Sequence, residues 1–183
     1  MAGVALMTAC AAAGSGTGDA PSDVDAPRPV DAAIVVDTPV NLCPSAETCA
    51  TATMLGTVSG DTGNMKLTAM GHQAAWFRVR VTENNSDIAG VSLRGAAKLT
   101  SPGAVDFDVF VYVNTGSDVI ECSTTTGTTT TNGTVNQTRA EWGEGTISNG
   151  ASDSRTMSIE VRPISGACAP DQMWQLEVEG NWN

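Results

Sequence analysis

The sequence predicts an all-β fold, an antiparallel β-sandwich of about eight strands that follows a disordered N-terminal tail. Three observations carry that prediction. Apolar residues alternate with polar ones at period two in several segments, the pattern of half-buried strands. Turn-forming clusters such as Ser59-Gly60-Asp61-Thr62-Gly63-Asn64, Ser101-Pro102-Gly103 and Ser148-Asn149-Gly150 separate those segments. No segment sustains a helical period with caps.

The first element is the tail. In residues 1–10 the apolar run Val4-Ala5-Leu6-Met7-Thr8-Ala9 ends at Cys10, an order that resembles the lipobox of a bacterial lipoprotein. Cys10 is then the lipidation site, residues 1–10 the remnant of the signal, and an acyl anchor the single membrane attachment. Cysteine parity agrees. Five cysteines leave one unpaired in an exported protein, and assigning Cys10 to a lipid leaves Cys43, Cys49, Cys122 and Cys168 for two disulfides. With Ala11 next to Cys10, the resemblance implies the outer membrane or the extracellular side of the envelope. Residues 11–42 hold Pro21, Pro27, Pro29 and Pro39 with five aspartates among small residues, too little apolar surface to offset chain entropy. This linker, at ~3.1 Å per residue when extended, reaches up to roughly 100 Å.

The folded domain is expected over residues 43–183. Phe77, Val79 and Val81 share one face of a strand at 76–82, with Arg78 and Arg80 opposite. Met157, Ile159 and Val161 do the same at 156–162, and Trp174, Leu176 and Val178 at 174–179. The run at 107–113 is apolar on both faces, which predicts a central strand covered on both sides. Weaker strands are expected at 55–58, 91–100, 119–123 and 134–142. Residues 70–73 read as a loop, and the Thr-rich 124–131 stretch as an exposed hairpin arm or loop. Four cysteines allow three pairings, and sequence does not select one. The short Cys-Pro-Ser-Ala-Glu-Thr-Cys segment suggests Cys43 with Cys49, leaving Cys122 for Cys168.

Ala75-Trp76-Phe77-Arg78-Val79, Leu99-Thr100-Ser101-Pro102-Gly103, Asp106-Phe107-Asp108-Val109-Phe110-Val111-Tyr112 and Met173-Trp174-Gln175-Leu176-Glu177-Val178 follow one another in an order similar to bacterial pre-peptidase C-terminal (PPC-like) domains. That resemblance implies a jelly-roll-like sandwich, used as an accessory module on secreted enzymes or standing alone at the cell surface.

Composition limits the partners. Nine Lys and Arg against 20 Asp and Glu give a net charge of −11, which repels phosphate backbones and argues against nucleic acid. His72 is the only histidine and sits outside any nucleophile–base spacing, so no catalytic residue is assigned. Carboxylates at Asp106, Asp108, Glu141, Glu144 and Asp153 are available for glycoside hydrolysis but show no spacing signature. No cofactor is expected, with a structural calcium as the one candidate. Asp61 and Asn64 in a Gly-rich loop, and Asp106 and Asp108 two residues apart on a strand, are the oxygen ligands that calcium would use. Trp142 lies in Glu141-Trp142-Gly143-Glu144-Gly145, where a large aromatic is hard to bury; it is the candidate binding residue, the alternative being that it plugs one end of the sandwich. Trp182 also lacks an obvious core position. The expected function is therefore a non-catalytic, surface-anchored binding module for envelope polysaccharide, peptide or protein. The alternatives are a spacer lipoprotein and, third, a carboxylate-dependent hydrolase.

Overall fold

The computed structural model describes residues 43–85, 91–143 and 151–182; Cys10, the 11–42 segment and Glu144 lie outside them. The described chain forms nine strands: β1 (Thr53–Ser59), β2 (Lys66–Gly71), β3 (Ala75–Thr82), β4 (Leu93–Thr100), β5 (Asp106–Tyr112), β6 (Thr128–Asn132), β7 (Val135–Trp142), β8 (Arg155–Ser165) and β9 (Trp174–Gly180). They build a two-sheet sandwich, with order β1-β3-β8-β5 in one sheet and β2-β9-β4-β7-β6 in the other. All pairings are antiparallel except β1 with β3, which run parallel.

Period-two patterning sets which face is inside. Phe77, Val79 and Val81 of β3 meet Met157, Ile159 and Val161 of β8 in the core, and Trp174, Leu176 and Val178 of β9 close it from the other sheet. Each such side chain, once fully buried, contributes about 1.5–3 kcal/mol. The Trp174 ring packs edge-on to Phe77 at 6.0 Å and donates its indole N–H to the Gln73 carbonyl at 2.9 Å. A Cβ at Gly71 would collide with that ring, so β2 ends on glycine.

Several expectations are corrected. β5 is not a central strand but the edge of its sheet. It reads as doubly covered because its outward Phe110 and Tyr112 are apolar as well, packed against Arg162 and Trp76, and its free edge is sealed from outside the sheet. Asn136 Nδ2 and Thr138 Oγ1 on β7 donate to the carbonyls of Phe107 (3.1 Å) and Val109 (3.0 Å), and Thr126 N donates to Val111 O (2.7 Å). β2 takes Met70 and Gly71 from the loop expected at 70–73, while His72 and Gln73 stay outside the strands. Its inward residues are only Leu67 and Ala69, too small to signal a strand. No strand forms at 119–123. Glu121 instead accepts from the backbone N–H groups of Cys122, Ser123 and Thr124, which fixes a turn. The Thr-rich stretch does become an exposed hairpin arm, β6 paired with β7.

The disulfides also differ. Cys43 bonds Cys168, and Cys49 bonds Cys122. Cys49 turns away from Cys43 because residues 49–51 form a turn of 3-10 helix, held where Arg78 Nη2 donates to Cys49 O at 2.6 Å. Cys43 therefore pairs with the segment between β8 and β9 instead.

Candidate functional site

The two outward faces of the sandwich are finished differently. On the four-stranded sheet, Trp76, Arg78 and Arg80 of β3 point outward opposite Glu160, Ser158 and Thr156 of β8. The 49–51 turn and the loop from Val113 to Thr126 lie over them. Cys49–Cys122 staples the two covering pieces together. Arg80 Nη1 reaches Asp118 Oδ1 at 2.5 Å, and Val113 N donates to Thr126 Oγ1 at 3.2 Å. Beneath this cover Ser158 and Tyr112 are buried although both face away from the core. Trp76 stacks on Tyr112 with centroids 5.3 Å apart, rather than on the arginines beside it. The Tyr112 hydroxyl donates to Glu160 at 2.7 Å. Burial, then that carboxylate, pushes its pKa up to about 12. Glu121 moves the other way, to about 2, because the Ser123 hydroxyl and three backbone N–H groups hold its charged form.

The outward face of the five-stranded sheet carries no stapled loop among the described residues; only at one end, where Ala96 is buried, does Trp182 fold over it. Its side chains stand in rows fixed by register. One row runs Lys66, Glu179, Ala96, Arg139, Thr128; the next runs Thr68, Glu177, Lys98, Gln137, Thr130; a third begins Met70, Gln175, Thr100. At ~4.8 Å between strands, each row is roughly 19 Å long. Lys66 spans the two glutamates, at 2.8 Å from Glu177 and 3.2 Å from Glu179, and those bonds hold its pKa above the ordinary lysine value. Lys98, at the centre, is exposed and has no ion pair or hydrogen bond among the described residues. It lines a hollow of about 470 Å³ with Thr68, Met70, Thr100, Gln175 and Glu177.

At the other end of the face Trp182 folds back over the sheet. Its ring lies 4.7 Å from the Arg139 guanidinium and 5.5 Å from that of Arg94. Asn181, just before it, takes a left-handed backbone (φ 45°), donates its N–H to Arg94 O at 3.1 Å and its side-chain amide to Gly63 O. A second hollow of about 470 Å³ opens here, between Arg139, Glu141, Trp182, Thr128 and Thr130.

The residues expected to form sites are scattered. Trp142 is 5% exposed and is the last inward residue of β7, its indole N–H donating to Asp153 O at 2.9 Å. Trp142 is therefore not at the surface but plugs one end of the sandwich, and β7 ends on it as the expected strand at 134–142 does. Asp61 is buried at the β1–β2 turn and already committed. It accepts from the Ser59 hydroxyl (2.7 Å) and from Asn84 N and Asn85 N (2.9 and 2.8 Å). Asn64 is an exposed neighbour in the same turn. Asp106 and Asp108 sit at the opposite end of the sandwich, since β5 begins beside the end of β8 while Asp61 follows the end of β1. The expected calcium ligands are therefore not one cluster, and among the described residues no three His, Cys, Asp or Glu side chains are placed to hold a metal. Asp108 accepts from Asn136 Nδ2 at 2.6 Å. Burial, with Asp106 nearby, raises its pKa. Asp106 lines a hollow of about 230 Å³ that Asp108 does not reach, and Asp153 pairs with Arg155 at 3.0 Å. His72 lines a hollow with Glu47, Gln73 and Trp174 that has no serine, threonine or cysteine in its wall. All four cysteines assigned to disulfides are so bonded.

Of the open-face residues, sequence reasoning singled out only Glu141, as one of several carboxylates without a spacing signature, and Trp182, as a tryptophan without a core position. Lys98, Arg94 and Arg139 sit in strands whose polar residues read as generic solvated positions, and only the register gathers them. No protein-family model matches the chain, and no curated protein matches it.

Proposed function

We propose that the protein is a non-catalytic binding module that takes a polysaccharide on the outward face of its five-stranded sheet. It is presented at the bacterial envelope through a lipid on Cys10 and the 11–42 linker, with the PPC-like resemblance as a consistent ancestry. The observation that carries this reading is the asymmetry of the two faces: one is roofed and stapled, the other is open, hollowed and lined with hydrogen-bonding side chains. Hydroxyls, amides and an ammonium without a partner suit a hydroxyl-rich ligand. A protein partner would want an apolar, aromatic centre, and the centre of this face holds Glu177, Lys98 and Gln137, with Met70 on the edge strand and Trp182 at one end.

The test is an array of envelope glycans and envelope proteins probed with the full chain. Glycan binding that Lys98→Glu abolishes, and that Thr115→Lys on the covering loop leaves alone, is the expected outcome. Turnover of any bound glycan would overturn the non-catalytic assignment. Binding of neither class would favour the spacer reading.

A further inference from the structure

We infer that the corner formed by Arg94, Arg139 and Trp182 is a carboxylate subsite, so that the polysaccharide taken by the open face carries uronic-acid-type sugars. This rests on the saccharide reading above and adds the chemistry of its recognition.

Three nitrogen donors meet at this corner without acceptors. Arg94 Nε, Arg139 Nε and Trp182 Nε1 are each shielded from solvent and make no hydrogen bond. An unsatisfied buried donor costs about 1–3 kcal/mol, more when charged. Three within one side-chain cluster are a standing demand for an acceptor-rich group. Arg139 goes further: its guanidinium has no carboxylate partner or hydrogen bond among the described residues, only the Trp182 ring. Arg94 has Glu141 at 3.8 Å from Nε, an ion pair too long to be a hydrogen bond. Arginine's planar fork matches a carboxylate through two parallel N–H···O bonds.

The charge of the surroundings agrees. The molecule carries −11 overall, yet this outward face sets Lys66, Arg94, Lys98 and Arg139 against Glu141, Glu177 and Glu179. An acidic protein that keeps cations in excess over carboxylates on one open face, two of them without carboxylate partners, is built for an anionic ligand there. Nucleic acid does not fit, because the rest of the surface repels a phosphate polymer. The hollow beside Arg139 is within the roughly 300–1,000 Å³ range of small-ligand sites. Its other walls, Thr128, Thr130 and Glu141, offer hydroxyls and an acceptor for sugar hydroxyls. Trp182 adds an aromatic surface. Its indole N–H has no acceptor among the described residues, while Arg94 Nη1 donates to the Trp182 carbonyl at 3.5 Å and both guanidinium groups lie on the ring. The next row, centred on Lys98, lies two residues along β4 and receives the following sugar.

The test is calorimetric titration of the full chain with oligogalacturonate, oligoalginate and hyaluronate oligosaccharides, each beside its methyl ester. The ester keeps every ring and hydroxyl and removes the charge. At least one uronate should bind, roughly tenfold or more tighter than its ester, with affinity falling as salt rises. Arg139→Gln should lose that preference. Arg139→Lys, which keeps charge without the fork, should lose most of it, and thermal melts of both variants should match the parent. Equal binding of acid and ester, unchanged by Arg139→Gln, would overturn the carboxylate subsite and leave the saccharide module standing. Binding of none of the three, acid or ester, would overturn the subsite. Failure of neutral envelope glycans as well would remove the saccharide reading. Polyglutamate binding as tightly as the best uronate would assign the corner to an acidic protein partner instead and overturn the sugar.

Discussion

Ser158 and Lys98 both point away from the core from interior strands of their sheets, yet Ser158 is fully buried and Lys98 is exposed. The difference lies outside the strands. Over Ser158 the chain lays a turn, a loop and a disulfide; over Lys98 the described chain lays nothing. A sheet face is covered only when connecting segments are long enough and are tied down. The tie here is made by Cys49–Cys122, Arg78 and Arg80. The open face has no comparable constraint, and its residues are those a solvent-facing strand carries at little cost to stability. They are available to recognition for that reason.

The sharpest contrast between a core residue and one of the proposed recognition face is between two tryptophans. Trp142→Ala should cost about 3–5 kcal/mol, because it empties a buried site at the end of β7. Trp182→Ala should cost about 1 kcal/mol, the scale of an exposed cation–π contact, while weakening saccharide binding. Chemical denaturation beside ligand titration reads both. Equal stability losses would break the distinction.

Removing the staple tests the covered face next. Cys49→Ser together with Cys122→Ser should lower stability by about 2–5 kcal/mol, since the bridge spans 73 residues. Saccharide binding on the opposite sheet should survive at concentrations where the variant is folded. Loss of binding in the folded variant would mean that the two faces are not independent.

Tyr112 reports the cover without perturbing stability, because it is the chain's only tyrosine. Ultraviolet absorbance should titrate near 12 in the native protein and near the ordinary 10.0 when denatured. The raised native value means that Tyr112 favours folding fully below pH 10. That contribution is lost as pH rises through 12. In the double serine variant the native midpoint should fall toward 10. Glu121 gives the acid counterpart. Its depressed value means that its stabilising contribution is present above the ordinary 4.5 and is lost as pH falls toward 2, readable as the midpoint of its carboxylate resonance.

The smallest effect on stability should come from Lys98→Glu, within about 0.5 kcal/mol, since the side chain is exposed and touches no charge partner. Its effect on binding should nonetheless be large. A stability loss of several kcal/mol would show a packing role that its environment does not suggest.

Much of the fold was legible because burial writes itself into period-two patterns. β3, β8 and β9 were readable from three alternating apolar residues each. β2 was not, because Leu67 and Ala69 fill little space. The 107–113 run misled for a physical reason. Its outward Phe110 and Tyr112 are covered by side chains of its own sheet, Arg162 of β8, 4.3 Å from the Phe110 ring, and Trp76 of β3, not by a strand on each side. The disulfide pairing was beyond sequence: three pairings are allowed, and the short spacing that suggested Cys43 with Cys49 is overruled by the 3-10 turn at Cys49. The candidate site was almost illegible. Arg94, Lys98, Arg139 and Trp182 are spread over 89 positions, and each alone looks like an ordinary surface residue. Only the β4–β7 and β4–β9 registers make them neighbours.

The most direct test of the open face as the recognition surface is residue-resolved amide shift mapping of the full chain during titration with oligogalacturonate, oligoalginate and hyaluronate in turn. With any that binds, the largest shifts should fall on Lys98, Gln137, Arg139, Glu177 and the Trp182 indole N–H, with the covering loop from Val113 to Thr126 unmoved. Saturable shifts centred on that loop, or on the end holding Asp106 and His72 with the β4–β7 amides unmoved, would contradict the account.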